Sequence, residues 1–302
     1  IHDFTDPHWD TRFLGDLYQD LSEAARKKYA LLQTPDFVEQ FILDRTLEPA
    51  LDEFGVEGGS DQRSAVSDQG ELAESRSLTT DRFKMIDPAC GSGHFLLGSF
   101  PRILDRWMKK EPGTNVRELV QRTLDSIHGV DVNPFAIAIA RFRLLLAALN
   151  ACGIRRLADA PGFRMNLVCG DSLLHVPLKS GGKKFTKGQL EFDAMVTKSE
   201  AGDGVDHAYQ SEDLRELKRM VSPGQYHAVV ANPPYITPKD KALNEQYRNR
   251  FESCHMKYSL AAPFMEQLFR LAVRSAARQT TTPPSPITPS PIEPRPSGSG
   301  NS

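Results

Sequence analysis

Asp87-Pro88-Ala89-Cys90-Gly91-Ser92-Gly93-His94-Phe95 is the stretch that decides the fold of this chain. A short apolar run, Phe83 to Ile86, leads into it, and a helical pattern from about Phe95 to Lys109 follows. Strand, glycine-rich turn and helix together make a receptor for a nucleotide-like ligand, because the first N–H groups of the helix have no intrahelical partner and can point at it. Glycine lets the backbone turn tightly and approach a ligand with no Cβ in the way. A glycine turn between a strand and a helix is common, so its weight depends on what lies downstream.

Three matching pieces follow in order. Gly129-Val130-Asp131-Val132-Asn133-Pro134 puts an acid at the end of a second apolar run. Leu167-Val168-Cys169-Gly170-Asp171 does the same for a third. His227-Ala228-Val229-Val230-Ala231 is a fourth run, closed by Asn232-Pro233-Pro234-Tyr235. Strands are expected near 83–86, 127–131, 166–169 and 227–231, and helices near 94–110, 115–126 and 134–150. Asn133-Pro134 is a cap followed by a first helical residue. The helix after it is apolar on nearly all sides and is expected to be buried. Strands alternating with helices predict an α/β fold with a parallel sheet.

With these residues in this order, the chain resembles the adenine-specific DNA methyltransferases of the amino-methylating class. The long Asp87-Pro88-Ala89-Cys90-Gly91-Ser92-Gly93-His94-Phe95 motif, with Gly129 to Ala136, resembles the phage-exclusion (BREX-type) and related restriction-modification enzymes. Thr34-Pro35 sits where that family has its first cofactor-contacting loop. The resemblance spans roughly Tyr18 to Val273. It implies a Rossmann-like, S-adenosylmethionine-dependent methyltransferase sheet, incomplete here, with helices before it. A complete family member continues with further strands and a target-recognition region, so the resemblance implies that this chain is the catalytic part. A shifted frame or a truncation would each produce such an end.

The same resemblance assigns roles. The turn from Ala89 through Cys90 and Gly91 to Gly93 offers backbone N–H groups to the methionine part of the cofactor, and Asp87 accepts from its ammonium or from nearby water. Asp131 accepts from the ribose hydroxyls, as the acid of dinucleotide-binding folds does. It lies well beyond the ~20 residues of that fingerprint, with the helix at 115–126 accounting for the difference. Asp171 accepts from the exocyclic amine of the cofactor, and the Ser172 N–H faces a ring nitrogen. Thr34 and Pro35 close over the methionine carboxylate. In the catalytic turn, the Asn232 side-chain oxygen and the Pro233 carbonyl accept from the target amine. Pro233 and Pro234 stiffen the turn, and Tyr235 stacks on a flipped base. Double-stranded DNA is the implied partner, with other subunits of a restriction or phage-exclusion system beside it. No metal is called for. The runner-up readings are a non-catalytic S-adenosylmethionine-binding remnant, and a methyltransferase acting on RNA or on protein glutamine.

Composition sets outer bounds. The chain has 302 residues, 39% apolar and 25% charged, which suits a globular protein. No stretch is read as approaching the ~20 apolar residues of a membrane span. It begins Ile1-His2-Asp3, without methionine or signal peptide, which suggests a record starting inside a longer protein. Cys90, Cys152, Cys169 and Cys254 form no CxxC and read as reduced thiols of a cytoplasmic protein. The net charge of −2 gives no overall support for gripping phosphates, so the DNA-gripping part is expected elsewhere.

Four regions are expected: N-terminal helices over 1–54, a Gly/Ser-rich insertion over 55–80, a methyltransferase core over 81–279 with an insertion at 178–225, and a disordered Pro/Ser/Thr-rich tail over 280–302. Within the first, Thr34 is expected to cap a helix whose first residue is Pro35, with Phe37, Val38, Phe41 and Ile42 at helical spacing. Short helices are expected at 211–220 and 241–251. A clearer one is expected at 263–278, with Met265, Leu268, Phe269 and Ala272 on one face. Phe95 reads as a packing residue, Cys90 as small filler, and His94 as solvent-facing or at the pocket rim.

Overall fold

In the computed structural model, the described residues are 11, 34–58, 82–176 and 214–273. Their elements are α1 (Asp36–Phe54), β1 (Met85–Asp87), α2 (His94–Lys110), α3 (Val116–Ser126), β2 (Ile127–Asp131), α4 (Pro134–Ala151), β3 (Asn166–Cys169), β4 (Ala228–Val229), α5 (Lys241–Arg248) and α6 (Ala261–Leu271). A helical segment at 214–220 precedes β4. Residues 1–10 and 12–33 of the expected N-terminal helical region, the 59–81 part of the Gly/Ser-rich insertion, residues 177–213 and residues 274–302 lie outside the described residues.

The four strands form one parallel sheet in the order β3-β2-β1-β4. Register aligns Asp87 with Gly129 and Asp131 with Cys169, while Ile86 pairs with Val229. Side chains alternate across the sheet. Met85, Ile127, Leu167 and Ala228 face one core cluster, with α1 through α4 behind them. Ile86, Val130 and Val168 face the other, closed by Leu217, Met220, Val221, Tyr226 and Leu271. A strand buried on both faces reads as an unbroken apolar run, which is why these were legible. Leu217 and Met220 belong to the 214–220 helix, so the end of the expected 178–225 insertion packs on the sheet itself.

Helix faces departed from expectation. α1 begins at Asp36; Pro35 occupies the cap with ψ 146° and there is no side-chain cap bond, so Thr34 does not cap it. Its buried stripe is Leu43, Leu47, Ala50 and Leu51, whereas Phe37 and Phe41 are exposed. α6 turns Phe264, Gln267 and Leu271 inward and leaves Met265 and Phe269 exposed. Apolar spacing marks a possible stripe, but contacts decide which stripe faces the core.

α4 is buried along Ala136, Ile137, Ala140, Leu144 and Ala148, yet Phe135 and Phe142 are exposed. Its 18 residues have a mean hydropathy of 1.5, long and apolar enough by those measures to cross a membrane, contrary to the sequence reading. Here it packs on α2 and on the sheet, and its Arg143 is buried and bonded to the glycine loop.

α1 lies close along α2. A Cβ at Gly98 would sit 2.0 Å from Glu39 Oε1 and 2.8 Å from Leu43 Cδ1, so a larger residue there would have to displace the ends of those two side chains. Arg102 bridges Asp44 and Glu48, and Arg106 bridges Glu48 and Asp52, stitching the same seam. Half-solvated pairs of this kind contribute at most ~1 kcal/mol each. They lie along the middle and C-terminal half of α1, and Thr34 stands just before its start.

Beyond β4, Ala272 bridges in parallel to Tyr226, and the Val273 N–H donates to the Tyr226 carbonyl at 2.8 Å. The outer side of β4 is therefore engaged where α6 ends.

Candidate active site

Asp87 ends β1, Asp131 ends β2, Asp171 lies two residues past β3, and Asn232 follows β4. All four thus come to the carboxyl edge of the sheet. The strand order reverses between β1 and β4, and ligands of open α/β sheets bind at that edge beside such a reversal.

The three acids share one local device. The Ala89 N–H donates to Asp87 Oδ1 at 3.0 Å, the Asn133 N–H to Asp131 Oδ1 at 2.8 Å, and the Leu173 N–H to Asp171 Oδ1 at 2.8 Å. In each case a carboxylate folds its own chain into an Asx turn two residues on. Asp131 also takes the Gly91 N–H on Oδ2 at 2.8 Å, tying the second strand end to the glycine loop.

The loop is held from three sides. The Cys90 N–H donates to the Val130 carbonyl at 3.0 Å, and the Gly93 N–H to the Cys90 carbonyl at 2.8 Å. Arg143, 2% exposed, donates from Nη1 to the Ser92 carbonyl at 2.8 Å and from Nε to Thr11 Oγ1 at 3.2 Å. Ser172 Oγ donates to the Pro88 carbonyl at 2.9 Å. Gly91 and Gly93 have φ of +53° and +87°, the left-handed region. A Cβ at Gly93 would come within 3.0 Å of Ala140 Cβ, whereas one at Gly91 would project into open space in front of the turn.

Burial dominates the electrostatics. It pushes the Asp87 carboxyl up to about 8, against the Ala89 hydrogen bond and with help from the nearby Asp131 charge. Asp131 and Asp171 are raised for the same first reason. Acceptors clustered at low polarity suit a ligand that brings positive charge and hydroxyl or amine donors, and the space before Gly91 leaves room for it. The Cys90 thiol is pushed up by burial and by both acids, so it is no nucleophile; it is core filler, as read. His94 is buried rather than solvent-facing, and Phe95 packs as expected.

Thr34 is buried and Pro35 exposed. Asn232 Nδ2 donates to Thr34 Oγ1 at 3.1 Å. Pro233 is buried, Pro234 partly so, and Tyr235 is 69% exposed. The structure thus brings together Asp87, Asp131 and the Ala89–Gly93 turn through direct bonds, Asp171 and Ser172 through their loop, and Thr34 with Asn232.

Residues the sequence reading missed include Arg143, Tyr247, Arg250 and Gln267. Arg143 had a signal, a charge inside an otherwise apolar helix. Gln267 Nε2 donates to the Ser172 carbonyl at 3.3 Å, and Tyr247 Oη donates to Asp171 Oδ2 at 2.5 Å. Neither has a motif; only folding brings them to the third strand end.

Residues 125–280 match the family model described as Eco57I restriction-modification methylase. The chain belongs to the Eco57I restriction-modification methylase family. As an Eco57I-family methylase it is 49% identical over 288 residues to the adenine-specific methyltransferase PglX of Streptomyces coelicolor, covering 92% of this chain and 21% of that protein. It is 24% identical to the adenine-specific methyltransferase BrxX of Escherichia coli, over 80% of this chain and 25% of that one. The chain therefore spans about a fifth to a quarter of these relatives. A solved structure of a nuclease-deletion mutant of the Type ISP restriction-modification enzyme LlaGI, in complex with a DNA substrate mimic, aligns with a TM-score of 0.50 at 15% identity, over 87% of this chain and 18% of that one. That likeness concerns the fold, and it agrees with the α/β sheet of the Eco57I-family domain described above.

Proposed function

We propose that this chain is the catalytic part of an adenine-specific DNA methyltransferase serving restriction-modification or phage defence. It would act on double-stranded DNA in the cytoplasm, alongside the remaining parts of such a system. The observation that carries this reading is the bond from Asn232 Nδ2 to Thr34 Oγ1. It commits the amide nitrogen of Asn232, and Oδ1 has no partner among the described residues at the carboxyl edge of β4.

An exocyclic adenine amine is a poor nucleophile because its lone pair delocalises into the ring. Acceptors aimed at its hydrogens favour the pyramidal geometry that develops during attack, so they bind the transition state more strongly than the ground state. Asn232 Oδ1 and the Pro233 carbonyl are those acceptors. Pro233 and Pro234 hold φ near −65° and keep the turn stiff. Exposed Tyr235 offers a face on which a flipped base stacks.

S-adenosylmethionine, when bound, supplies an electrophilic methyl group. The Ala89–Gly93 turn and Asp87 would hold its methionine part, the turn through its shape, because the N–H groups of Ala89, Cys90, Gly91 and Gly93 already donate to Asp87, Val130, Asp131 and Cys90. Asp131 would accept from the ribose hydroxyls, Asp171 from the adenine amine, and the Ser172 N–H would face the ring. Thr34 and Pro35 would cover the carboxylate. The fit is chemical: a sulfonium and an ammonium relieve the burial of Asp87 beside Asp131.

The test is tritiated methyl transfer from S-adenosylmethionine to duplex DNA, RNA and protein, with calorimetry of cofactor binding in parallel. Transfer to duplex adenine that disappears in Asn232→Ala supports the reading. Transfer to protein alone overturns it, and so does the absence of cofactor binding at millimolar concentration.

A further inference from the structure

After the Asn-Pro-Pro-Tyr turn the chain folds back under the third strand end. The Leu260 N–H donates to the Ile236 carbonyl at 2.9 Å, closing this return. Tyr247, Phe251, Cys254, Tyr258 and Phe264 form a separate buried cluster with Leu173 and Val176 of the Asp171 loop. Two polar groups enter it. Tyr247, 3% exposed, donates its hydroxyl to Asp171 Oδ2. Arg250, 7% exposed, donates Nη1 to the Gln246 carbonyl, while its Nε is buried with no partner among the described residues.

A carboxylate can rotate about its last bond and can lose its acceptor character by taking a proton. Asp171 has contacts that oppose both, although burial still raises its carboxyl on balance. Its Oδ1 takes the Leu173 N–H and its Oδ2 takes the Tyr247 hydroxyl, which fixes the plane, and a carboxylate oxygen has a second lone pair with which to accept. The Tyr247 hydroxyl and the nearby Arg250 charge both favour the ionised form against burial. An ionised carboxylate only accepts, so it welcomes an amine and repels a carbonyl oxygen in the same place.

We propose that Tyr247 is a positioning residue which, by donating to Asp171 Oδ2, makes the cofactor pocket select a 6-amino purine over a 6-oxo purine. This rests on the assignment of Asp171 to the cofactor's exocyclic amine. It also ties that pocket to the segment continuing from the catalytic turn.

The test compares calorimetric Kd values for S-adenosylhomocysteine and its 6-oxo counterpart, S-inosylhomocysteine, on the full chain. Wild type should favour the amine by at least ~10-fold, as expected of a site built around one buried polar partner. Tyr247→Phe, which keeps the ring in place, should bring the ratio to within ~3-fold, about the discrimination left once the fixed acceptor can reorient. Tyr258→Phe, in the same cluster but bonded to Asn244, should retain the wild-type ratio. A wild-type ratio in Tyr247→Phe overturns the proposal while leaving the Asp171 assignment standing. A collapsed ratio in Tyr258→Phe also overturns it, since loosening of the cluster would then suffice. No discrimination in wild type removes the Asp171 assignment itself, and the proposal with it.

Discussion

Asn232 Nδ2 donates to Thr34 Oγ1 at 3.1 Å, joining residues 198 positions apart in the chain. One belongs to the Asn-Pro-Pro-Tyr turn, proposed above as catalytic, and the other stands immediately before α1. The hydroxyl that accepts from Asn232 still has its own proton to donate, so under the proposed function one side chain would serve both the methyl acceptor and the cofactor.

Thr34→Val should therefore slow methyl transfer by about tenfold or more, the effect of a lost buried hydrogen bond of ~1–2 kcal/mol. Thr34→Ser should restore most of the rate. Single-turnover measurements at saturating cofactor separate this from weaker binding; equal rates in Thr34→Val and wild type would show that Asn232 needs no such support.

Asp87 gives a pH dependence with a definite sign. Its carboxyl sits at about 8 in the folded chain against 3.8 ordinarily. Between those values the folded state holds a proton that the unfolded state has released, so stability contributed by this group falls as pH rises from about 4 to about 8. Buried His128, lowered to about 4 from 6.5, works the other way over its own window, gaining stability as pH rises. The clean measurement is urea unfolding of wild type minus Asp87→Asn from pH 5 to 8. The difference should drift steadily against wild type, and a flat difference would rule out the raised carboxyl.

Gly93→Ala should destabilise the apo chain by about 1–3 kcal/mol, because it combines a left-handed φ with a contact on Ala140. Gly113→Ala, with open space around it and no positive φ, should be close to neutral. Thermal unfolding of the two variants side by side is the check.

Arg143→Met keeps length but removes the donor to the Ser92 carbonyl. Leaving that carbonyl unsatisfied should cost about 1–3 kcal/mol and should weaken cofactor binding, since the loop loses its anchor from α4. Calorimetry with S-adenosylhomocysteine would register the second effect apart from the first.

The strand ends that carry the candidate site were legible in the sequence for a specific reason. Buried parallel strands such as Ile127–Asp131 make continuous apolar runs, and each run here is followed by a polar residue at the carboxyl edge. Helices gave less. In α1 the exposed Phe37 and Phe41 drew the eye from Leu43 and Leu47, and in α6 the polar Gln267 lies inside while Phe269 lies outside. Spacing reveals amphipathicity, but here each helix carried two candidate stripes. Tyr247 was illegible for another reason: its partner Asp171 is 76 residues away, and no local pattern encodes such a meeting.

The repeated Asx turn at Asp87, Asp131 and Asp171 has a kinetic consequence. Each acid is oriented by an amide of its own turn, so the conformational entropy of these three strand ends is surrendered during folding rather than at capture. Binding on such a preorganised edge should follow a single concentration-linear phase in stopped flow, with no slower isomerisation behind it.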